Sequence, residues 1–418
     1  MSAIVTPIDP SRLRQFNPLK NIPSRVLEYV AHQSCIEDLS PDSIIQTLGA
    51  MDNQICYLLQ GDVETLTAQG VVHKLSAGTK RSLQPLSIQQ PFVESVKAIS
   101  SVTLLKLPRE LYDSISQLPS TEHRSSDQAI QLDASDIRET GINWKFHEIV
   151  KEGKLELPSM PDIAMRIAKV VNNPDTDSED IARVIQADPT VAARLISVVN
   201  SAAYRGQSAI SSLPDAVSRL GRNVIHNLVI SFALGSLFHS RSKILQSRML
   251  ALWKHACHVA AISHELGRVT PGKNADHALL CGLVHDIGAL PIISAARSHP
   301  EISEQPEILD QTIEHLKAEV GAMVLRKWAF ADDFIRVALH SEDWGQDTSD
   351  EPSYLDLVLV AQLHSYIGTP KMRQLPRLDL VPAFHKLALG RLTPRHSIGI
   401  LENAKEQIRE LQSLLSGS

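Results

Sequence analysis

The residues of this chain whose types and spacing could do chemistry are an adjacent histidine and aspartate, His285 and Asp286. They follow an apolar stretch, residues 280–284, and precede Ile287-Gly288. Neighbouring imidazole and carboxylate groups can bind one metal ion, and that ion could activate water for hydrolysis. The pair alone leaves two interpretations open: a metal centre that hydrolyses a substrate, or a buried polar network that joins helices.

The composition is typical of a cytoplasmic protein with two or three domains. The chain has 418 residues, of which 43% are hydrophobic, and no apolar run reaches the roughly eighteen residues of a membrane-spanning helix. The N-terminal residues lack the basic-then-apolar order of a secretory signal. The four cysteines form no CxxC pair, which indicates reduced thiols. The net charge of −6 predicts no general attraction to nucleic acid or to membranes.

The elements that would position the His-Asp pair change character along the chain. Residues 44–107 contain short apolar runs separated by turn residues such as Gly61-Asp62 and Gln69-Gly70. This pattern predicts a small β-roll or barrel. We expect a helix on either side of it, at Ser24–His32 and Arg109–Gln117. The predicted strands are Ile55–Leu59, Val63–Leu66, Val71–Leu75 and Ser101–Leu107.

From Trp144 onward the apolar residues recur with the period of a helix. Ser178 is predicted to cap one helix, and Ser212-Leu-Pro-Asp215 resembles a capping box. No strand pattern interrupts this half, so we predict an all-helical domain. Its longer helices are expected at about 222–238, 248–267, 275–285, 310–328, 331–340 and 353–367. The predicted organisation is a β-roll with flanking helices, a polar linker, the helical domain and a helical extension packed on that domain, at residues 1–117, 118–143, 144–345 and 346–418.

The helical half resembles the HDOD domain, a divergent branch of the HD-type metal phosphohydrolases, over residues 155–345. The resemblance implies a helical fold and regulation through binding, since that family usually has an incomplete metal site. It rests on segments in the family's order: Leu157–Pro161, Ala187–Thr190, Val199–Ala202, Ile210–Gly221, Trp253–His255, Gly282–Gly288, Val320–Trp328 and Leu339-His340.

A second resemblance covers residues 17–115, which are similar to the cyclic-nucleotide-binding β-roll. That family binds the cyclic phosphate through a Gly-Glu helix cap and an arginine. Here Ser82-Leu83 stands in place of Gly-Glu, and Phe92 stands in place of the arginine. An apolar ring cannot donate charge-assisted hydrogen bonds to a phosphate. We therefore expect the fold without its ligand chemistry. The matching segments are Pro18-Leu19, Ile55–Glu64, Ala77-Gly78, Val96–Ala98 and Thr103–Leu107.

The HD-type resemblance implies a metal set of His255, His285, Asp286 and His340. Other positions of the pattern differ from the two-metal enzymes, so we expect a vestigial or weak metal site and assign no catalytic and no cofactor-binding residue. The departures are Lys317, Ser341, Gln362 and Ala289, in place of a ligand histidine, the second member of a His-His pair, the closing aspartate and a lysine.

The expected function is that of a bacterial signal-transduction protein, with a degenerate N-terminal sensor and an HDOD domain that binds proteins and is not an enzyme. Two alternatives stay open: a metal-dependent phosphohydrolase acting on nucleotides or cyclic dinucleotides, and a nucleotide-responsive sensor through the β-roll. No cofactor is expected, although a divalent metal is left open. The expected partners are signalling proteins, with no nucleic acid and no membrane. The three- and four-residue steps of the apolar residues in 401–415 leave a homodimer open.

Overall fold

The computed structural model describes residues 8–116, 149–150, 152, 154–204, 206, 208–299, 305–387, 402 and 405–416. The predicted linker at 118–143 lies outside the described residues. The chain forms two compact units. The first comprises Met1–Asp127 together with Pro376–His385, and the second comprises Gln128–Leu375 together with Lys386–Ser418.

The first unit contains the strands of the described chain: β1 (Cys35–Leu39), β2 (Ile44–Gln46), β3 (Gln54–Gln60), β4 (Asp62–Thr67), β5 (Val72–Ser76), β6 (Glu94–Ala98) and β7 (Val102–Pro108). They form two antiparallel sheets with the orders β1-β7-β3 and β2-β6-β4-β5. Ile55 pairs with Leu107 and Tyr57 with Leu105, and all four side chains are buried. The predicted β-roll is confirmed, with three strands, β1, β2 and β6, that the pattern did not predict.

Three helices accompany the sheets: α1 (Pro10–Leu13), α2 (Ser24–Gln33) and α3 (Arg109–Ser116). Helix α2 places Val26, Leu27 and Val30 on one face at three- and four-residue spacing. These side chains join the core formed by Tyr57 and Leu105 of the three-stranded sheet. The helix begins at Ser24, directly after Pro23.

Residues 376–385 belong to the first unit, although they lie far along the chain. Leu380 is buried in the core that contains α2. The Tyr29 hydroxyl donates a hydrogen bond to Asp379 Oδ2 over 2.8 Å, and Arg377 pairs with the same carboxylate. The structure thus corrects the expectation that the whole of residues 346–418 packs on the helical domain, because an apolar residue and a carboxylate find their partners in the first unit.

Among the described residues of the second unit, the regular elements are all helices, as predicted. Its helices are α4 (Asp162–Val171), α5 (Ser178–Gln186), α6 (Pro189–Val199), α7 (Leu213–Leu220), α8 (Arg222–Leu234), α9 (Lys243–Val269), α10 (Ala275–Val284), α11 (Ala289–Ala296), α12 (Pro306–Lys327), α13 (Asp332–His340), α14 (Tyr354–Ser365) and α16 (Lys405–Ser416). Helix α15 (Pro382–Leu387) begins in the first unit and ends in the second.

Local chemistry sets the ends of several helices. Asp177, and not the predicted Ser178, caps α5, because its carboxylate accepts from the amides of Glu179 and Asp180 in a capping box. Ser212 caps α7 as predicted, accepting from the Asp215 amide. The 27-residue α9 packs against α10, α14 and α16, so it forms the centre of the unit.

The C-terminal helix α16 packs on α9 and α6 within the second unit. It buries Ile408, Leu411 and Leu415. The Ala202 amide donates to Glu410 Oε2 over 2.9 Å. These contacts place the apolar stripe of this helix inside its own chain, and the open prediction of a homodimer through it stays a prediction.

The apolar stretch Ala275–Ala296 is long and apolar enough to cross a membrane by composition alone. Of its most apolar window, 83% is buried inside the unit. A core position explains this apolar character, because α10 and α11 pack against α9 and α12.

Candidate metal centre

Three side chains with metal-binding atoms converge in the second unit. His255 comes from the middle of α9, and His285 and Asp286 lie in the turn between α10 and α11. One ligand atom of each lies within 4.8 Å of the others. The structure therefore brings together three of the four residues predicted for the metal set.

Glycines allow the close approach of backbones that creates this convergence. A Cβ atom at Gly282 would lie 2.8 Å from the Ala260 Cα, so only glycine lets α10 approach α9 this closely. At Gly288 a Cβ would lie 2.4 Å from the Gly321 amide nitrogen of α12. The His-Asp turn is thus held between α9 and α12.

The His285 ring is oriented by a backbone carbonyl. Its Nδ1 lies 2.7 Å from the Gly282 carbonyl oxygen, a distance that makes Nδ1 the protonated nitrogen and leaves a lone pair on Nε2 in the neutral ring. Nε2 is buried and has no hydrogen-bond partner among the described residues. It lies 3.4 Å from Asp286 Oδ2. Two electron-rich atoms facing each other at this distance suit a proton or a cation.

Lys317 of α12 places its ammonium on the other oxygen of Asp286. Its Nζ lies 2.9 Å from Asp286 Oδ1 and 2.8 Å from Glu342 Oε1. The lysine side chain is only 12% exposed, so this is a desolvated ion pair. Glu342 was not singled out by the sequence, since nothing in the pattern links it to a residue 25 positions earlier.

Tyr366 and Lys371 complete the surroundings and were also missed by sequence reasoning. The Tyr366 ring stacks on His255 with centroids 5.0 Å apart, and its hydroxyl lies 3.2 Å from His255 Nε2. Lys371 donates to the same hydroxyl over 3.2 Å and lies 3.7 Å from Glu342 Oε1. The Tyr366 hydroxyl can therefore accept from Lys371 and donate to His255.

The remaining predicted ligand positions do not join the group. His340 ends α13, one quarter exposed, with Nδ1 3.9 Å from Asp343 Oδ2. Gln362, at the position of the closing aspartate, is fully buried and donates its amide to the Ser341 carbonyl. It offers no charge to a metal ion.

Charges and burial set the protonation of the group. Burial, followed by the neighbouring His285 and Lys317, lowers the pKa of His255 to about 3, so its ring is neutral near pH 7. Burial alone would raise the pKa of Asp286, but Lys317 and His285 outweigh it and hold that pKa well below its ordinary value. For Lys317, the Asp286 and Glu342 carboxylates likewise outweigh burial and raise the pKa, so the ammonium stays charged.

The residues do not fit a hydrolytic metal centre. The donor set of two imidazoles and one carboxylate suits a zinc-like ion. The unpaired Nε2 atom of His285 could coordinate such an ion. However, one oxygen of Asp286 already holds an ammonium, and the closing carboxylate is replaced by Gln362. What remains is a charge-balanced polar cluster at the meeting point of α9, α12 and the His-Asp turn.

A separate groove lies between α4, α6 and α9 and has a volume of about 590 Å³. Its walls include Pro161, Asp188 and Trp253, which come from three distant segments of the chain. Arg194 also lines it and makes no hydrogen bond or ion pair with the described residues. The groove does not include the ligand atoms of the metal cluster.

Comparison with known families decides what this helical unit is. Residues 157–344 match the HDOD domain family. These residues form an HDOD domain. A protein from Shewanella amazonensis SB2B, described as a candidate metal-dependent phosphohydrolase, is 27% identical with a TM-score of 0.57. That similarity covers 65% of this chain and 96% of the other.

Two further similarities are more limited. An uncharacterized protein of Treponema pallidum (strain Nichols) is 25% identical over 194 residues, which make up 43% of this chain but only 36% of that protein. The β-sheet region is similar to a candidate cyclic nucleotide-binding protein from Geobacter metallireducens GS-15, at 20% identity and a TM-score of 0.22, over 25% of this chain and 77% of the other.

Proposed function

We propose that this chain is a cytoplasmic signal-transduction protein whose HDOD domain acts by binding signalling proteins and not by hydrolysis. The observation that carries the proposal is the position of Gln362. The residue stands where a closing aspartate would complete a metal site, and its buried amide is bonded to the Ser341 carbonyl.

The chemistry of phosphate ester hydrolysis supports this proposal. A metal centre of this kind needs carboxylates to balance the ion, and it needs free positive charge to meet the charge that develops on the phosphate. Here the neutral amide of Gln362 replaces the closing carboxylate. The nearest ammonium, that of Lys317, already forms ion pairs with Asp286 and Glu342. The cluster supports the fold at a point where three segments meet.

The groove also supports a role in binding. Pro161, Asp188 and Trp253 belong to segments by which the chain resembles HDOD domains, yet none is a member of the metal cluster. They line one groove together with Arg194, whose charge has no partner among the described residues. A purely hydrolytic role would leave this convergence without an explanation.

For the β-roll, we propose that it does not bind a cyclic nucleotide. Arg81, the arginine beside the expected phosphate position, donates to the Pro85 and Leu86 carbonyl oxygens over 2.8 and 3.1 Å. Phe92 is buried in the unit. Neither side chain is placed to receive a phosphate.

A metal-dependent phosphohydrolase is the second candidate function, and one observation favours it. His255, His285 and Asp286 still converge within 4.8 Å. The similar Shewanella protein is also described as a candidate phosphohydrolase. If an ion is bound, these three residues would hold it.

Metal analysis with a phosphodiesterase assay separates the two functions. The purified full chain is analysed for bound metal and then incubated with Mn²⁺ or Zn²⁺ and either bis(p-nitrophenyl) phosphate or a cyclic dinucleotide. We expect turnover no faster than that of Asp286→Asn, the matched variant of similar size. Metal-dependent turnover that Asp286→Asn abolishes, while the variant remains folded, would replace the binding function with the enzymatic one.

A further inference from the structure

The ammonium of Lys317 stands between two carboxylates at the edge of the metal cluster. Its Nζ lies within 2.9 Å of one oxygen from Asp286 and one from Glu342. We propose that the Lys317 ammonium occupies the position of a divalent metal ion. A neutral side chain at position 317 would then allow a metal ion to bind there. This inference rests on the proposed non-hydrolytic function. On this view, the Lys317 ammonium excludes a metal ion from the cluster.

The geometry of the oxygens fits a small cation. Carboxylate oxygens bind ions such as Mg²⁺ at about 2.0–2.1 Å. Asp286 Oδ1 and Glu342 Oε1 already converge on the position of the Lys317 ammonium. Each needs to move by less than about 1 Å to reach an ion in place of the ammonium. Glu342 would thereby supply the second carboxylate that Gln362 does not.

A third donor is available beside the two carboxylates. His285 Nε2 is buried, has no hydrogen-bond partner among the described residues, and lies 3.4 Å from the second oxygen of Asp286. Its ring is oriented by the Gly282 carbonyl, as is common for histidines that bind metal. Lys317 pairs with the Oδ1 atom of Asp286, so the ammonium leaves the Nε2 atom beside Oδ2 unused.

The charge balance of the cluster accommodates either the Lys317 ammonium or a divalent ion, but not both. Asp286 and Glu342 carry two negative charges, and Lys317 together with Lys371, which lies 3.7 Å from Glu342, carries two positive ones. A divalent ion added to this balanced group would be repelled by the ammonium at close range in a poorly screened interior. Removing the ammonium leaves a surplus of negative charge that attracts a cation.

The packing of the backbone positions Lys317 beside Asp286. Gly288 and Gly321 let α12 lie directly against the His-Asp turn, and Lys317 is one helical turn before Gly321 on that helix. The ammonium is therefore delivered to Asp286 by the same close approach that fixes the turn.

Binding of Mn²⁺ tests the inference on the full chain. The wild type, Lys317→Gln and the control Lys327→Gln are titrated with Mn²⁺, followed by calorimetry and by electron paramagnetic resonance. Lys327 lies on the same helix, and its ammonium bonds to the Leu157 carbonyl. We expect one Mn²⁺ to bind Lys317→Gln at least tenfold more tightly than it binds the wild type or Lys327→Gln. Adding Glu342→Gln to the Lys317 variant should remove the gain.

Two results of the titration would overturn the inference. Equal affinities of the wild type and Lys317→Gln overturn it, as does a gain that Glu342→Gln leaves intact. If Lys317→Gln does not fold alone, it is refolded with and without Zn²⁺: recovery of the helical signal with one bound ion supports the inference, and no recovery overturns it. The phosphodiesterase assay on the wild type reports on the proposed function separately, since the inference concerns only the ratio of affinities.

Discussion

The backbones of Gly288 and Lys317 touch: a Cβ atom on Gly288 would lie 1.9 Å from the Lys317 carbonyl oxygen. No flexible side chain could move aside to relieve that clash, because the opposing atom belongs to the middle of α12. The position of the ammonium near Asp286 thus depends on a residue without a side chain.

Gly288→Ala is expected to destabilise the HDOD domain by about 2–3 kcal/mol, the upper range for overpacking a tight interior. Gly321→Ala is the matched comparison, since its Cβ would meet the Ala338 methyl group at 3.2 Å, which a small shift relieves. Urea unfolding followed by circular dichroism measures both. Equal losses for the two variants would contradict the close approach at Gly288.

Asp286→Ala is expected to lower the free energy of unfolding by about 3 kcal/mol, because it leaves the buried Lys317 ammonium without one of its partners. The double variant Asp286→Ala/Lys317→Met should recover more than about 1 kcal/mol of this loss, as a double-mutant cycle measures.

The exposed ion pair of Arg248 with Asp310 is the control for that cycle, since the Asp310 side chain is 64% exposed. Asp310→Ala should cost less than about 1 kcal/mol. If the Asp286 variant costs no more than the Asp310 variant, the cluster does not support the fold.

Burial lowers the pKa of His364, on α14, to about 4. Its pKa in the unfolded chain lies near 6.5, so as the pH falls from about 6.5 to about 4 the unfolded chain takes up a proton that the folded protein does not. Stability is therefore lost over this range, by up to about 3 kcal/mol from this residue. We expect His364→Gln to flatten the dependence of the free energy of unfolding on pH. A curve for His364→Gln that runs parallel to that of the wild type would refute the assignment.

Cyclic AMP and cyclic GMP are expected to show no saturable binding to the full chain up to about 1 mM, since an unmatched phosphate loses its hydration without gaining donors. Isothermal calorimetry is the measurement. Saturable micromolar binding that Arg81→Ala abolishes would show that this arginine leaves the Pro85 and Leu86 carbonyls to hold the phosphate.

The sequence predicted the helical half well, because amphipathic helices such as α4 and α5 show their period directly. It missed α11 at Ala289–Ala296, whose residues are almost uniformly apolar and carry no period. It also missed β1, in which Glu37 and Asp38 interrupt the apolar pattern although the strand pairs with β7. Pairing with a distant strand is a tertiary effect that a local window does not contain.

For the candidate site, His285 and Asp286 were identified from their adjacency in the sequence and Lys317 from the resemblance to the HD-type enzymes, and the structure places these residues together. Glu342, Tyr366 and Lys371 were not, because they meet the cluster only through the packing of separate elements. His340 was identified by its place in the motif, yet it lies beside Asp343 and not with the other donors. Order along a chain predicts which elements meet, but not which side chains on them face each other.

The contribution of residues 376–385 to the first unit has a consequence for biosynthesis. Leu380 fills a position in a core whose other members lie before residue 116, and Asp379 accepts a hydrogen bond from Tyr29. A ribosome must therefore translate the HDOD domain before the first unit can acquire its last pieces, so the unit that is synthesised first is completed last. For the same reason, neither unit is a contiguous cassette that could be exchanged between proteins with a single junction.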